Sequence, residues 1–231
     1  QAAGLECLRV LRIAVHPAVQ RRGLGSRVLD EVATHARARG LDYLGTSFSA
    51  SAELLSFWRG ACYRAVRVGA RREPSSGAHA VLMLKGLSAA GVDLVAAARR
   101  RFHRDFPHRL SDGLADLETD LVVALLQDVP SGFGAGDADD LRELEGFALH
   151  WRGYEAAAGA LWRFSLGELS QPRLAGMLSP RETQMLVARV LQKQSWAAVA
   201  RAGELPGRSA VLAELRQAIA RLLKDRARAD R

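Results

Sequence analysis

The chain has 231 residues, a net charge of +8 and ordinary globular fractions of apolar (48%) and charged (25%) residues, which exclude a wholly disordered, collagenous or coiled-coil protein. No apolar run is long enough to span a bilayer and the first residues lack the layout of a signal peptide, so we expect a cytoplasmic protein without a membrane partner. Cys7 and Cys62 are the only cysteines, which excludes a disulfide framework and a thiolate zinc site, and we expect no metal.

Basic residues are concentrated at the two ends of the chain. Residues 1–109 hold 18 basic and 8 acidic residues, residues 110–180 hold 4 and 12, and residues 181–231 hold 11 and 5. All but three of the basic residues are arginines, which favour planar contacts with phosphate or carboxylate groups. This distribution suits a polyanionic partner, although an arginine-rich genome would produce the same bias.

The first 87 residues have the pattern of a mixed α/β domain. Short apolar and β-branched runs predict strands at Leu8–Val15, Leu41–Phe48, Tyr63–Val68 and His79–Leu84. Apolar residues with helical spacing predict helices at Ser26–Arg39 and at Ser51–Arg59, the second with Ser51 as N-cap.

From residue 88 onward no strand pattern remains. Helices are predicted at Val92–Phe106, Glu118–Val129, Ala138–Arg152, Ala156–Leu169, Arg181–Ala202 and Ser209–Arg228. Breaks are predicted at Pro107, Pro130–Gly136, Pro172, Pro180 and Pro206. The change of pattern predicts two domains, 1–87 and 88–231, and an α+β fold class whose second domain is all-helical.

The sequence begins at Gln1 and enters the first predicted strand almost at once. An edge strand so close to the chain terminus would lack a neighbour on one side. We therefore expect the chain to be the C-terminal part of a longer protein, and processing of a short leader is the alternative.

The segment Leu11–Leu29 has the pattern of an anion-binding loop. A predicted strand runs into a loop that contains Gln20, Gly23 and Gly25, and a helix follows directly. A helix N-terminus offers unpaired amides and partial positive charge, and glycines let the backbone approach a phosphate closely. The pattern favours phosphate binding, with a plain strand-to-helix turn as the alternative.

The residues around these glycines resemble the acetyl-CoA motif of the GNAT acetyltransferases, in which Gln-x-x-Gly-x-Gly follows a strand. The chain resembles in particular the bacterial tRNA(Met) cytidine acetyltransferases, in the segments Arg12–Pro17, Leu41–Leu44, Ser47–Phe48, Glu53–Leu54, Phe57–Trp58 and Arg72–Gly77. The resemblance is dense over residues 8–110 and becomes general helical pattern beyond. It implies the C-terminal half of a GNAT acyltransferase fold in residues 1–87, followed by a helical tail domain that contacts tRNA.

The resemblance also implies an activity and its cofactors. Members of the family transfer the acetyl group of acetyl-CoA to the exocyclic amine of the wobble cytidine of elongator methionine tRNA, and an upstream helicase module uses ATP. No Gly-x-x-x-x-Gly-Lys-[Ser/Thr] occurs in this sequence, so ATP would be used outside it. We expect the chain alone to be inactive or nearly so, and we make no prediction of its oligomeric state.

Carried over residue by residue, the resemblance implies a coenzyme site. The strand residues that would line the acetyl-CoA are Ile13, Ala14 and Val15. The loop residues that would hold its phosphates are Gln20, Arg21, Arg22, Gly23, Leu24, Gly25 and Ser26. Glu53 falls on a coenzyme-site position, whereas Gly60 stands where the family has an arginine, and the adjacent Arg59 is the candidate to replace it.

Two residues are candidates for accepting the proton of the attacking amine. His16 follows the acetyl-binding strand and is the chosen candidate, although a role in capping or orienting the turn before Pro17 is favoured over proton transfer. Glu53 could act as the base or compensate the dipole of the helix that it begins. Phe57 and Trp58 could stack a nucleobase, although their helical spacing favours core packing.

Arginine clusters are candidates for RNA contact, because binding to an RNA backbone needs grouped cations. In the run Arg99–Arg109 the one acid is Asp105, and a solvated helix face is the alternative. The arginines assigned to RNA are Arg71, Arg72, Arg99, Arg100, Arg101 and Arg104.

Three functions therefore stay open, with tRNA cytidine acetylation favoured. The second is a GNAT acetyltransferase that acts on a protein or small-molecule amine. The third is a non-catalytic RNA-binding module whose glycine loop holds a phosphate. Binding of acetyl-CoA separates the third function from the first two.

Overall fold

A four-stranded sheet and two helices form the first part of the chain in the computed structural model, which describes residues 4–74, 76–128, 137–172 and 176–229. The strands are β1 (Cys7–Val10), β2 (Tyr43–Ser49), β3 (Arg64–Arg72) and β4 (His79–Gly86). The helices are α1 (Leu24–Ala38) and α2 (Ala52–Gly60). The predicted α+β fold class is confirmed.

The sheet is mixed, with strand order β1-β2-β4-β3. β1 pairs parallel with β2, and α1 forms the crossover that parallel strands need. β4 pairs antiparallel with both β2 and β3. In this order β1 is an edge strand with one free side.

β1 is shorter than predicted, because the chain leaves the sheet after Val10. The last registered pair of β1 is Val10 with Thr46, and the Thr46 hydroxyl donates to the Val10 carbonyl at 3.1 Å. Leu11, the next residue, has 73% of its surface exposed. The predicted strand Leu8–Val15 is therefore wrong in its second half: an edge strand without a second neighbour has few contacts to extend it.

The core of this part lies between the sheet and the helices. Trp58 is buried, stacks on Phe48 with 5.8 Å between ring centroids, and meets Tyr63 edge-on at 4.8 Å. Burial raises the pKa of Tyr63 to about 12. The predicted cap of α2 is confirmed, since the Ser51 hydroxyl accepts from the Leu54 amide at 3.2 Å.

Asp42 ties the strands to the next helix, α3 (Ala89–Leu110). Its carboxylate accepts the Ser88 hydroxyl at 2.5 Å and the Glu6 amide at 3.0 Å, and these hydrogen bonds hold the pKa of Asp42 below its usual range. A Cβ on Gly91 would lie 1.8 Å from the Asp42 carbonyl oxygen, so only glycine fits at this contact.

The chain divides into two compact units within α3, as Gln1–Phe106 and Pro107–Arg231. The helix continues through Pro107, so the break predicted there is wrong. A proline in the last turn removes one backbone hydrogen bond, which a long, packed helix tolerates. The change of sequence pattern at residue 88 coincides with the start of α3 instead.

The second unit is built of helices in its described residues. They are α4 (Thr119–Leu126), α5 (Ala138–Ala148), α6 (Tyr154–Leu169), α7 (Pro180–Met185), a π-helical turn (Leu186–Leu191), α8 (Trp196–Ala202) and α9 (Arg208–Ala229). The break predicted at Pro130–Gly136 lies outside the described residues. Pro172 follows α6, Pro180 begins α7 and Pro206 separates α8 from α9, as predicted.

The helix predicted at Arg181–Ala202 is interrupted between Leu191 and Trp196. Lys193 has a left-handed φ of 55°, and the side chains of Gln192 and Gln194 donate to carbonyls near residue 115. These polar contacts override the helical spacing. Among the described residues, no helix is both long and apolar enough to cross a bilayer.

Candidate active site

A cavity of about 490 Å³ opens at the N-terminus of α1. Three segments form its walls: the extended residues after β1, the glycine loop with the first turn of α1, and the first turns of α2. Its lining residues are Ile13, Val15, Val19, Gln20, Arg21, Gly23, Leu24, Gly25, Ser26, Glu53, Leu54 and Phe57. The cavity therefore combines apolar and polar walls, as small-molecule sites do.

The loop before α1 is shaped by its own sequence. Gly23 is the N-cap residue with a left-handed φ of 76°, which glycine adopts without steric cost, and it provides no side-chain cap. The Gln20 side-chain amide donates to the Val15 carbonyl at 3.0 Å and so ties the loop to the segment after β1. Arg21 also has a left-handed φ, of 59°, which is uncommon outside glycine.

The amides of this loop are available to a ligand. Within the described residues, no backbone amide from Arg21 to Ser26 donates a hydrogen bond, and the Arg27 amide is the next that does, to the Gly23 carbonyl at 3.0 Å. Unpaired amides at a helix N-terminus, together with its partial positive charge, bind anions. The loop can therefore hold a phosphate group.

Gly25 allows a close approach between α1 and α2. A Cβ at this position would lie 3.0 Å from Cε2 of the Phe57 ring and 3.6 Å from the Val15 side chain. Any side chain at residue 25 would therefore compete for the space that forms the cavity.

An ion pair joins two walls of the cavity. A guanidinium nitrogen of Arg21 lies 3.3 Å from a carboxylate oxygen of Glu53, and the two side chains are 89% and 81% exposed. Exposed pairs of this kind are worth little free energy. Arg21 can therefore exchange Glu53 for an anion that enters the cavity.

Most of the predicted coenzyme residues lie together at this cavity. Ala14 and Arg22 do not line it, and Ala14 lines instead a neighbouring groove beside α1 that includes His16. Sequence reasoning missed Val19 and Leu54 and favoured a core position for Phe57. The two aromatic neighbours differ, because Trp58 is buried whereas Phe57 lines the cavity.

The two candidate bases make different contacts. Nδ1 of His16 accepts the Ala18 amide at 3.3 Å and caps the short 3-10 turn Pro17–Val19, which is the capping role. Glu53 lies in the first turn of α2 and pairs with Arg21. Of the two, only Glu53 lines the cavity.

Gly60, the position where the family has an arginine, does not line the cavity. Gly60 is the last residue of α2, and a Cβ there would meet nothing within 4 Å. Neither Gly60 nor Arg59 lines the cavity.

The arginines predicted to contact RNA differ in availability. Arg71, Arg100 and Arg101 are exposed, whereas Arg99 is half-buried. Arg72 donates to the Gly77 carbonyl at 2.7 Å. Arg104 bonds to Asp105 at 2.8 Å, which raises the pKa of Arg104 and offsets its charge. All these positions lie in the first unit.

No group of three or more His, Cys, Asp or Glu side chains that could hold a metal ion occurs in the part of the chain that the structure describes.

Two family models match the chain. One, described as GNAT acetyltransferase 2, matches residues 31–88, which confirms the predicted GNAT half of the fold but begins after the glycine loop. The other, described as a tRNA-binding domain, matches residues 91–229.

Similar proteins are named tRNA(Met) cytidine acetyltransferase. The chain is 42% identical to the protein of this name from Nitrosococcus halophilus, in an alignment that covers 95% of the chain. It is 40% identical to the protein from Haloferax volcanii over 83% of the chain, and 34% identical to the protein from Vibrio cholerae over 96% of the chain. It spans only 25–30% of the length of these relatives. Since the second model covers more than half of the sequence, the chain belongs to the family of proteins that this tRNA-binding domain defines.

Proposed function

We propose that the chain is part of an enzyme that transfers the acetyl group of acetyl-CoA to the exocyclic amine of the wobble cytidine of elongator methionine tRNA. The observation that carries the proposal is the cavity at α1, where unpaired amides of the glycine loop meet apolar walls. The names of the relatives and the GNAT and tRNA-binding matches support the same activity.

The coenzyme would be held by the residues of this cavity. Its pyrophosphate fits the amides from Gly23 to Ser26, with Arg21 alongside as a full positive charge. The apolar walls, which include Phe57 and Leu54, suit the pantetheine arm.

Catalysis would use the backbone after β1. Since this segment leaves the sheet, the amides of Ile13, Ala14 and Val15 donate no hydrogen bond among the described residues. Such amides can stabilise the oxyanion that develops on the acetyl carbonyl. A cytosine amine is a weak nucleophile, so exact placement of the base beside the thioester would supply much of the rate, after the base is lifted from its stack.

Proton transfer is assigned to Glu53 before His16. Glu53 lines the cavity, whereas Nδ1 of His16 is occupied by the Ala18 amide. Release of Glu53 from Arg21 on coenzyme binding would free its carboxylate to accept a proton.

The remaining parts of the proposal concern partners. The exposed arginines Arg71, Arg100 and Arg101 and the second unit would contact tRNA, with Arg72, Arg99 and Arg104 in supporting contacts. ATP would be used by a module outside this sequence, the reaction would take place in the cytoplasm, and the bacterial attribution stays a prediction.

The proposal is tested by acetyl-CoA binding to the chain, measured by titration calorimetry. Gly25→Glu places a carboxylate among the loop amides and against Phe57, and we expect it to weaken binding at least about 100-fold. The matched control, Gly60→Glu, adds the same charge at a site with no neighbour and should bind normally. Equal affinities of the two variants would contradict the site.

The acceptor is tested in a protein of the relatives' length that contains this sequence. We expect acetylcytidine in nucleosides digested from methionine tRNA after incubation with acetyl-CoA and ATP. An acetylated protein or small amine without acetylcytidine would show that the acceptor is wrong while the coenzyme site stands.

A further inference from the structure

The second unit exposes large apolar side chains at one place. Among its described residues, the exposed large hydrophobic side chains are Leu149 and Trp151, which are 56% and 83% exposed. Both lie in the turn between α5 and α6, on either side of His150. An indole this exposed gains almost nothing from burial, so it does not stabilise the fold of the unit.

Trp151 differs from the other tryptophans of the unit. Trp162 packs beside His108 with 6.3 Å between ring centroids, and Trp196 meets Tyr154 at 4.8 Å. The Trp151 ring has no aromatic or cationic neighbour in the described part of the chain. At 83% exposure, most of its surface is open to solvent.

The turn that carries Trp151 is nevertheless fixed. The amides of Trp151 and Arg152 both donate to the Gly146 carbonyl at 2.9 Å, and the His150 amide donates to the Phe147 carbonyl at 3.2 Å. His150 has a left-handed φ of 68°, a conformation that these hydrogen bonds must hold against its steric cost.

A long-range contact from α9 adds to this support. The Arg216 guanidinium donates to the carbonyls of Phe147 and Arg152 and lies over the Phe147 ring at 4.7 Å. The backbone that presents the indole is thus preorganised by contacts that the Trp151 side chain does not make, and a preorganised aromatic loses little entropy on binding.

We propose that Trp151 is a stacking platform for an unpaired base of bound RNA, an inference that rests on the proposed tRNA partner. The turn lies inside the region that matches the tRNA-binding domain. Proteins recognise RNA mainly by stacking its unpaired bases on aromatic side chains. Residues 149–153 contain His150 and Arg152 and no acid. Arg152 pairs with Glu143 at 3.1 Å, a partner that a phosphate beside the stacked base would have to replace.

The test measures the affinity of the chain for a fluorescein-labelled transcript of elongator methionine tRNA by anisotropy. Trp151→Ala should weaken binding about tenfold, because stacking of one base is worth about 1–3 kcal/mol. Trp151→Phe keeps an aromatic face and should retain most of the affinity, whereas Trp151→Leu keeps only apolar area and should behave like Trp151→Ala.

Two further readouts separate stacking from charge and from general apolar contact. The slope of affinity against salt should be unchanged in Trp151→Ala, since no cation is removed. The matched control Leu149→Ala removes the neighbouring exposed side chain and should bind tRNA normally. Circular dichroism of each variant checks that the fold is intact.

Several results would overturn the inference. If Trp151→Ala binds tRNA like the wild type, or if Trp151→Leu retains full affinity, the indole does not stack on a base. If Trp151→Ala converts a dimer to a monomer in light scattering, the patch contacts a second copy of the chain. If the wild-type chain fails to bind tRNA, the proposed tRNA contact fails along with it, and only acetyl-CoA binding would then support the proposed function.

Discussion

The N-termini of α1 and α7 differ in whether protein groups cap their backbone amides. α7 follows Ser179, whose hydroxyl accepts the Glu182 amide at 3.2 Å, while the Glu182 carboxylate accepts the Ser179 amide at 2.8 Å. Arg221 of α9 adds a second bond to the same carboxylate, at 2.9 Å. α1 follows Gly23, which has no side chain to offer, and the amides of its first turn are unpaired.

The difference separates a helix end that stabilises the fold from one that is available for binding. Glu182 is 3% exposed, so the end of α7 is closed by protein atoms. The end of α1 faces a cavity of about 490 Å³. Unpaired helix amides are tolerated where water or a ligand can reach them, so the N-terminus of α1 is suited to binding a ligand in place of water.

The largest effect, on the free energy of unfolding, is expected when the capped N-terminus of α7 loses the Glu182 carboxylate. Glu182→Ala leaves the Ser179 amide unpaired and the Arg221 guanidinium without its carboxylate, and should lower the free energy of unfolding by about 2–3 kcal/mol in urea denaturation. Acetyl-CoA binding should not change, because Glu182 does not line the cavity. The control Glu155→Ala removes an exposed carboxylate paired with Arg208 and should cost under about 1 kcal/mol. A Glu182→Ala protein as stable as the control would contradict the importance of this cap.

An intermediate effect, on the affinity for acetyl-CoA, is expected at the uncapped N-terminus of α1. Arg21 lines the cavity and Arg22 does not, although both are exposed arginines of the same loop. Arg21→Gln should weaken acetyl-CoA binding about fivefold in calorimetry, more at low salt, and should leave stability unchanged. Arg22→Gln should change the affinity less than about twofold. Equal losses would mean that both cations act through general charge, and the local pairing with phosphate would be wrong.

The sequence predicted which helices and strands form better than it predicted the residues at which they end. Helical spacing and the Ser51 cap located α1 and α2 to within a few residues, because local patterns determine them. The early end of β1 and the continuation of α3 through Pro107 depend on tertiary neighbours, which no local pattern contains. The interruption after Leu191 likewise depends on side-chain bonds to residues far away in sequence.

The site was predictable where its chemistry lies in the backbone. A strand followed by Gln-x-x-Gly-x-Gly and a helix places amides and glycines together, and the structure has them in one cavity. Side-chain contributions were harder to predict, because apolar wall residues such as Phe57 have the same spacing as core residues. The platform residue Trp151 carries no periodic signal, since its exposure depends on a turn fixed by Gly146 and Arg216.

The smallest effect concerns the pH dependence of another closed end, that of α5. Asp137 caps this helix by accepting the Asp140 amide at 2.9 Å, and the Asp140 carboxylate bonds to Nε of Arg163 at 2.8 Å. The Arg163 hydrogen bonds hold the pKa of Asp140 below its usual range. A lowered carboxyl pKa contributes stability above the unfolded-state pKa, near 4, and this contribution is lost as the pH falls through the folded-state pKa.

Asp140→Asn should therefore lower the free energy of unfolding by about 1 kcal/mol at neutral pH. The difference should shrink progressively as the pH falls below about 4 and through the lowered folded-state pKa, where Asp140 of the wild type becomes protonated. Urea denaturation at a series of pH values measures both effects. Asp139→Asn is the matched control, because its pair with Arg142 is exposed and contributes little at any pH. A constant difference in the free energy of unfolding between Asp140→Asn and the wild type across this range would show that packing, and not the charge of Asp140, holds the start of α5. The N-termini of α5 and α1 would then differ in their packing and not in their electrostatics.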